Sequence, residues 1–231
     1  GDDVEGEKLL SKNVVGLLQG TGNSDELIII GAHYDHLGYG EFGSLYRGEQ
    51  ERIHNGADDN ASGTAGVLEL AEYFSANRPK KDILFLAFSG EEMGLLGSAY
   101  YVDNPTVDLE NALAMINMDM IGRMVDKKLM IFGIGTADKW EGILDSANTG
   151  DLDLNLVKDG TGASDHTSFY YKDIPVLHYF TDTHADYHRP SDDTEYINMN
   201  GTALALHHLV RVMVQLDELQ KDELAFVEAP G

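Results

Sequence analysis

The chain has 231 residues and carries 16 basic against 40 acidic side chains, a net charge of −24. That balance excludes a nucleic-acid partner and binding to an anionic membrane surface, because both need a basic face. It has no cysteine, which excludes disulfides, thiolate catalysis and Cys-ligated metal, and no apolar run approaches the roughly 20 residues of a membrane span.

Hydrophobic residues make up 42% of the chain, enough for one substantial core. The length predicts a single domain over 1–231, with 1–12 as a trimmed or flexible N-terminal end. In chain order, short apolar runs predict strands at Asn13–Leu18, Leu27–Gly31, Ile83–Phe88, Ala112–Asn117, Leu129–Gly133 and Pro175–Tyr179. Between them, Ser62–Ala76 places Val67, Leu68, Leu70, Ala71 and Phe74 at helical spacing, and Met93–Val102 and Ala137–Ala147 are shorter helical candidates. A last amphipathic stripe runs from Leu206 to Leu216, on a helix starting near Asn200. Strands alternating with helices predict a three-layer α/β/α sandwich with a mixed, mainly parallel central sheet. Tyr39–Asn55 and Thr181–Thr194 read as irregular loops, and loops of that length often carry function.

Acidic and histidine residues gather at the C-terminal ends of the predicted strands, where open α/β sheets place ligands. The run LIIIG leads into GAHYDH with His33, Asp35 and His36, and GADDNASG follows with Asp58 and Asp59 before a helix. DILFLAF leads into SGEEMGLLGS with Glu91 and Glu92, and ALAMIN into MDMIGR with Asp119. ASDHTSF carries Asp165 and His166, and ADYHRPSDD carries Asp186, Tyr187 and His188. Singly, each has an ordinary explanation: an Asp before a helix is an N-cap, and paired Glu after a strand is solvated. The recurrence of carboxylates at strand end after strand end is not explained that way.

Zinc chemistry explains the set. Catalytic zinc takes His nitrogen and carboxylate oxygen and keeps a position open for water. Two zinc ions roughly 3.5–4 Å apart can share a carboxylate and a water. One bridging carboxylate, plus one His and one carboxylate for each metal, then completes a site in which three acids and a hydroxide balance the charge.

The motifs GAHYDH, GADDNASG, SGEEMGLLGS, MDMIG and YHRPSDD, in this order, resemble the bacterial di-zinc aminopeptidase family, which includes the Aeromonas and Streptomyces secreted aminopeptidases. The resemblance covers about residues 13 to 216. It implies a zinc exopeptidase binding two Zn²⁺, acting on peptides with a free N-terminus and exported to the periplasm or medium. It makes His33 and Asp119 ligands of one zinc, His188 and Glu92 ligands of the other, and Asp59 the bridge, followed by a cis peptide. Glu91 matches the general base, Asp35 the acid that orients the His33 imidazole, and Tyr187 a donor to the oxyanion. One branch of the family carries an Arg near the substrate where this chain has Ala163. Many relatives also carry a protease-associated domain, for which these 231 residues leave no room. The segment from His178 to Asp186 is expected to line the substrate cleft, with Tyr179 and Phe180 as apolar surface favouring Leu, Met or Phe as the first residue.

Three other readings share these motifs. A metallo-carboxypeptidase needs a cationic pocket, for which Arg123 and Arg189 are the nearest candidates. A glutaminyl-cyclase-like enzyme would use fewer zinc ligands, and a non-catalytic domain of the same fold would not need the full set with Glu91.

Overall fold

The apolar runs expected as strands pair into one sheet. Among the residues described by the computed structural model, 10–23 and 25–229, the strands are β1 (Val14–Leu18), β2 (Leu27–His33), β3 (Asp82–Phe88), β4 (Ala112–Met118), β5 (Lys128–Phe132), β6 (Asp153–Leu156) and β7 (Val176–Phe180). Their order across the sheet is β1-β3-β2-β4-β7-β5-β6. The inner strands β3, β2, β4 and β7 run parallel, as do β5 and β6, while β1 and β5 are antiparallel to β3 and β7. The sheet is therefore mixed and mainly parallel, as expected.

The inner strands read as unbroken apolar runs because both of their faces are covered. Ile28 and Ile30 of β2 pack with α1 (Gly63–Ala76), α3 (Trp140–Ala147) and α5 (Met199–Glu218), whereas Leu27 and Ile29 pack with α2 (Leu96–Asp103) and α4 (His166–Tyr170). The terminal stripe buries Leu209, Val212, Met213 and Leu216 against the first face, and the Asn198 side chain caps α5 by accepting from the Gly201 amide. Truncating one such leucine to alanine costs about 2–5 kcal/mol. No helix among the described residues is long and apolar enough to cross a membrane.

Several elements depart from the sequence reading. The strand β6 was not anticipated: it is four residues long, and Asp153 and Asn155 break any apolar run. The five-residue α4 is too short to show helical periodicity. The second helix begins at Leu96 rather than Met93, because Gly94 at φ 99° and Leu95 at φ 60° hold the preceding residues in a turn. On α1, Leu68 points to solvent while Val67, Leu70 and Phe74 are buried. Of the expected flexible end 1–12, residues 1–9 lie outside the described residues. Residues 11 and 12 are tied down: the Ser11 hydroxyl pairs with that of Ser89, and the Tyr34 hydroxyl donates to Lys12 O.

The parallel inner strands end on one side of the sheet. His33 closes β2, Asp119 follows β4, Glu91 and Glu92 follow β3, and the loop carrying His188 follows β7. Four neighbouring strands thus deliver the acidic and imidazole groups to one edge, the position open parallel sheets offer to ligands.

Candidate active site

The turn Ala57–Ser62 enters α1 with a cis Asp59–Asn60 peptide. The ordinary reading of Asp59 as a helix cap fails, because Asn60 does that work. Its Oδ1 accepts from the Gly63 and Met120 amides and its Nδ2 donates to Met118 O. A Cβ on Gly63 would fall 2.4 Å from both Asn60 Oδ1 and Met118 O, so only glycine fits there. Asp192, far along the chain, accepts the amides of Asp58 and Asp59 at 2.9 and 3.1 Å and fixes the turn from behind. The Asp59 carboxylate is left to face the site.

There it stands between two imidazoles. His33 Nε2 lies 3.3 Å from Asp59 Oδ1 and 3.3 Å from Asp119 Oδ1, with Glu91 Oε2 at 3.9 Å. His188 Nε2 lies 3.2 Å from Asp59 Oδ2 and 3.1 Å from Glu92 Oε2. Each ring turns its Nδ1 to a main-chain carbonyl, His33 to Asp35 O at 3.1 Å and His188 to Gly43 O at 2.9 Å. Such bonds fix the tautomer and present Nε2 to the centre. Asp119 Oδ2 accepts from the Ser164 hydroxyl at 2.7 Å, which aims its other oxygen at His33. The Tyr187 ring stacks on His188 at 3.8 Å between centroids.

The charges explain what the cluster lacks. Burial alone would raise Glu92, but hydrogen bonds from His188 and His36 outweigh it and hold the carboxyl at about 2. Burial would lower His188, yet Asp59 and Glu92 push it up to about 10. His33, also penalised by burial, is held well above its usual range by Asp119, Asp59 and Glu91. Burial first, and then repulsion from Asp119, Asp165 and Glu92, pushes Glu91 up to about 9 against the opposing pull of His33. No Lys or Arg forms an ion pair with any of these acids among the described residues. The carboxylates are thus offset by imidazoles alone.

That donor set fits divalent cations. Among the described residues, His33 Nε2 and Asp119 Oδ1 are buried without a hydrogen-bond partner although they lie 3.3 Å apart. Single donor atoms of His33, Glu91 and Asp119 all lie within 4.8 Å of one another, and so do those of His33, Asp59 and Glu92. Nitrogen and carboxylate oxygen without thiolate is a set that zinc accepts.

The model of peptidase family M28 matches residues 13–214. The chain belongs to that family. The M28 chain is 28% identical over 201 residues to the aminopeptidase YwaD of Bacillus subtilis, covering 81% of this chain and 41% of YwaD. It is 39% identical over 109 residues to a probable zinc metalloprotease of Pyrenophora tritici-repentis, covering 47% of this chain and 24% of that protein. The solved structure of BSAP, a zinc aminopeptidase from Bacillus subtilis, superposes with a TM-score of 0.74 at 25% identity, over 92% of this chain and 52% of that one. The chain thus spans less than half the length of both curated relatives.

Within the M28 site, the structure brings His33, Asp59, Glu91, Glu92, Asp119 and His188 together and stacks Tyr187 beside them. The Asp35 carboxylate departs from its expected place. It lies 3.7 Å from His33 Nδ1, whose hydrogen bond goes instead to the Asp35 carbonyl, and it accepts the Glu91 and Glu92 amides at 3.1 and 3.4 Å. Tyr179 is a second correction. It is fully buried on the α5 side, with its hydroxyl paired to His208, because alternation along β7 turns it away from the cleft. Phe180, on the opposite face, remains half-exposed beside Phe132 and His178. Sequence reasoning also missed the carbonyl of Gly43, the clamp by Asp192, the Ser164 contact and the pairing of His184, inside the expected cleft segment, with Asp58, Nε2 to Oδ2 at 3.1 Å. A second acid in YHRPSDD was the one available signal for Asp192.

Proposed function

We propose that the chain is the catalytic unit of a co-catalytic zinc aminopeptidase that removes an apolar first residue from peptides with a free N-terminus. The observation that carries the reading is Asp59, which offers one oxygen to each of two imidazoles, each of which meets a further carboxylate. In this reading His33 and Asp119 hold one zinc, His188 and Glu92 the other, and Asp59 both. Zinc bound there supplies a water of lowered pKa and a Lewis acid for the scissile carbonyl.

The chain's own residues do the rest. Glu91 is a largely buried acid whose Oε2 lies 3.9 Å from His33 Nε2, and its elevated proton affinity suits it to take a proton on Oε2 and return it to the leaving amine. Cations in the cluster would draw that affinity down toward neutrality, the range in which a general base works best. The Tyr187 phenol is held protonated by burial and by Asp59, Glu92, Asp119 and Glu91, so it can donate to an oxyanion. A carboxylate-rich centre attracts the protonated α-amine. The cationic pocket that a carboxypeptidase needs is missing at Arg123, whose guanidinium is bonded to Asp186 and faces His184. Phe180, Phe132 and Met130, which pairs with Phe180 across β5 and β7, supply apolar surface. Export to the periplasm or medium is the setting proposed from the family; activity confined to the cytosol of fractionated cells would contradict it.

The test is a pair of substrates. Leucyl-anilide should be cleaved and N-acetyl-leucyl-anilide cleaved much more slowly. Equal rates would replace the aminopeptidase reading with a general metallo-amidase.

A further inference from the structure

The segment that ends β2 grips the Glu91–Glu92 pair twice. The Asp35 carboxylate accepts the two backbone amides, at 3.1 and 3.4 Å. One residue on, His36 Nδ1 lies 2.7 Å from Glu92 Oε1. The other oxygen of that carboxylate, Oε2, is the one that faces His188 Nε2 at 3.1 Å. The two oxygens of Glu92 therefore have separate partners.

His36 is not free to leave this position. Its side chain is 10% exposed. Gly56, at φ 60°, packs close to the ring: a Cβ there would fall 2.6 Å from His36 Cγ and 2.7 Å from Cδ2. The ring meets His188 edge-on, with centroids 5.9 Å apart. Its Nδ1 is 4.0 Å from Asp59 Oδ2 but 2.7 Å from Glu92 Oε1, so of these two carboxylates Glu92 is the close partner. Its Nε2 is buried with no hydrogen-bond partner among the described residues.

We propose that His36 is a positioning residue that donates Nδ1–H to Glu92 Oε1 and so restricts Glu92 to offering Oε2 alone to the metal beside His188. This rests on the zinc reading above. A carboxylate with both oxygens free can chelate a cation and fill the position that water or substrate needs. A donor fixed on one oxygen prevents that and sets the direction of the other. Hydrogen bonds behind a metal ligand typically govern its affinity by 10–100-fold.

The geometry of amides gives a sharp test. Asparagine Nδ2 occupies the position of histidine Nδ1, two bonds beyond Cβ, whereas glutamine Nε2 corresponds to histidine Nε2 and cannot donate from the same place. Zinc affinity is measured by competition with a chromophoric chelator on the wild type, His36→Ala, His36→Asn and His36→Gln, with His188→Ala as reference. His36→Ala should weaken one of two zinc equivalents by about 10–100-fold and leave the other unchanged. His36→Asn should return to within about threefold of wild type, and His36→Gln should resemble His36→Ala. With Co²⁺ in place of zinc, visible absorption should weaken in His36→Ala and recover in His36→Asn, because a chelating carboxylate raises the coordination number. Wild-type affinity in His36→Ala, or equal rescue by Asn and Gln, would overturn the proposal. Failure of the zinc reading looks different: the wild type would then bind no zinc, or His188→Ala would bind as much as wild type.

Discussion

The two halves of the site are built differently. His33 and Asp119 sit at the ends of β2 and β4, in the middle of the sheet, and His33 is 1% exposed. His188 sits on the loop after β7 at φ 54°, with its side chain 14% exposed. It is held by the Gly43 carbonyl of a second loop, and Leu45 N donates back to His188 O. A strand-borne ligand inherits the rigidity of the core, whereas a loop-borne ligand depends on two loops docking together. Sites on regular elements are held more tightly than sites on loops, so the His33 half should keep its metal longer than the His188 half.

The sharpest way to break this comparison is to remove what the halves share. Asp59→Ala should cost both zinc equivalents and lower peptide hydrolysis by more than roughly 10³-fold, beyond the loss of one stabilising donor. Metal content and rate measured on the same preparation check it, and retention of either metal at full affinity would show that Asp59 is not a bridge. Next in size is Glu91→Gln, which should keep both metals yet lose roughly 10²–10⁴ in rate. Near-normal turnover would remove Glu91 from its role.

The zinc-free protein sharpens the electrostatic side. Glu91 has a folded pKa near 9 against an ordinary 4.5, so the folded state binds the extra proton between those values. Stability from this group is complete below pH 4.5 and falls as the pH rises toward 9. Glu91→Gln removes that penalty, so the zinc-free variant should be more stable than wild type at pH 8, by about 1 kcal/mol or more, with the gap closing near pH 4. Thermal melting at the two pH values measures it, and a pH-independent difference would contradict the assignment. A smaller effect concerns the first substrate residue. Phe180→Ala should reduce the preference for leucine over alanine by about 1–3 kcal/mol, read as a ratio of kcat/KM values.

The same contrast governs what the sequence made legible. β2 and β4 are continuous apolar runs ending in His33 and just short of Asp119, so element, edge and candidate ligands were all readable. β6 and α4 were not, since neither is long enough to show a period and β6 alternates polar with half-buried residues. In the site, the chemical types were visible as acids and imidazoles after strands. The contacts that aim them were not. The Asp35 and Gly43 carbonyls belong to the backbone and leave no residue signature. His36 and Asp192 act only because Glu92 and the Asp58–Asp59 turn, distant in the chain, are folded onto them. The Asp35 carboxylate was assigned to the nearest imidazole, and its actual partners, two amides after β3, become apparent only once β2 and β3 lie side by side.

The most direct test of the zinc-aminopeptidase account is to strip the protein of metal with a chelator and restore zinc stepwise while following leucyl-anilide hydrolysis. The account predicts no hydrolysis without metal, a small gain as the strand-borne His33 half fills, and most of the activity as the second equivalent reaches the His188 half. Hydrolysis that survives complete metal removal, or that zinc fails to restore to a folded protein, would contradict it.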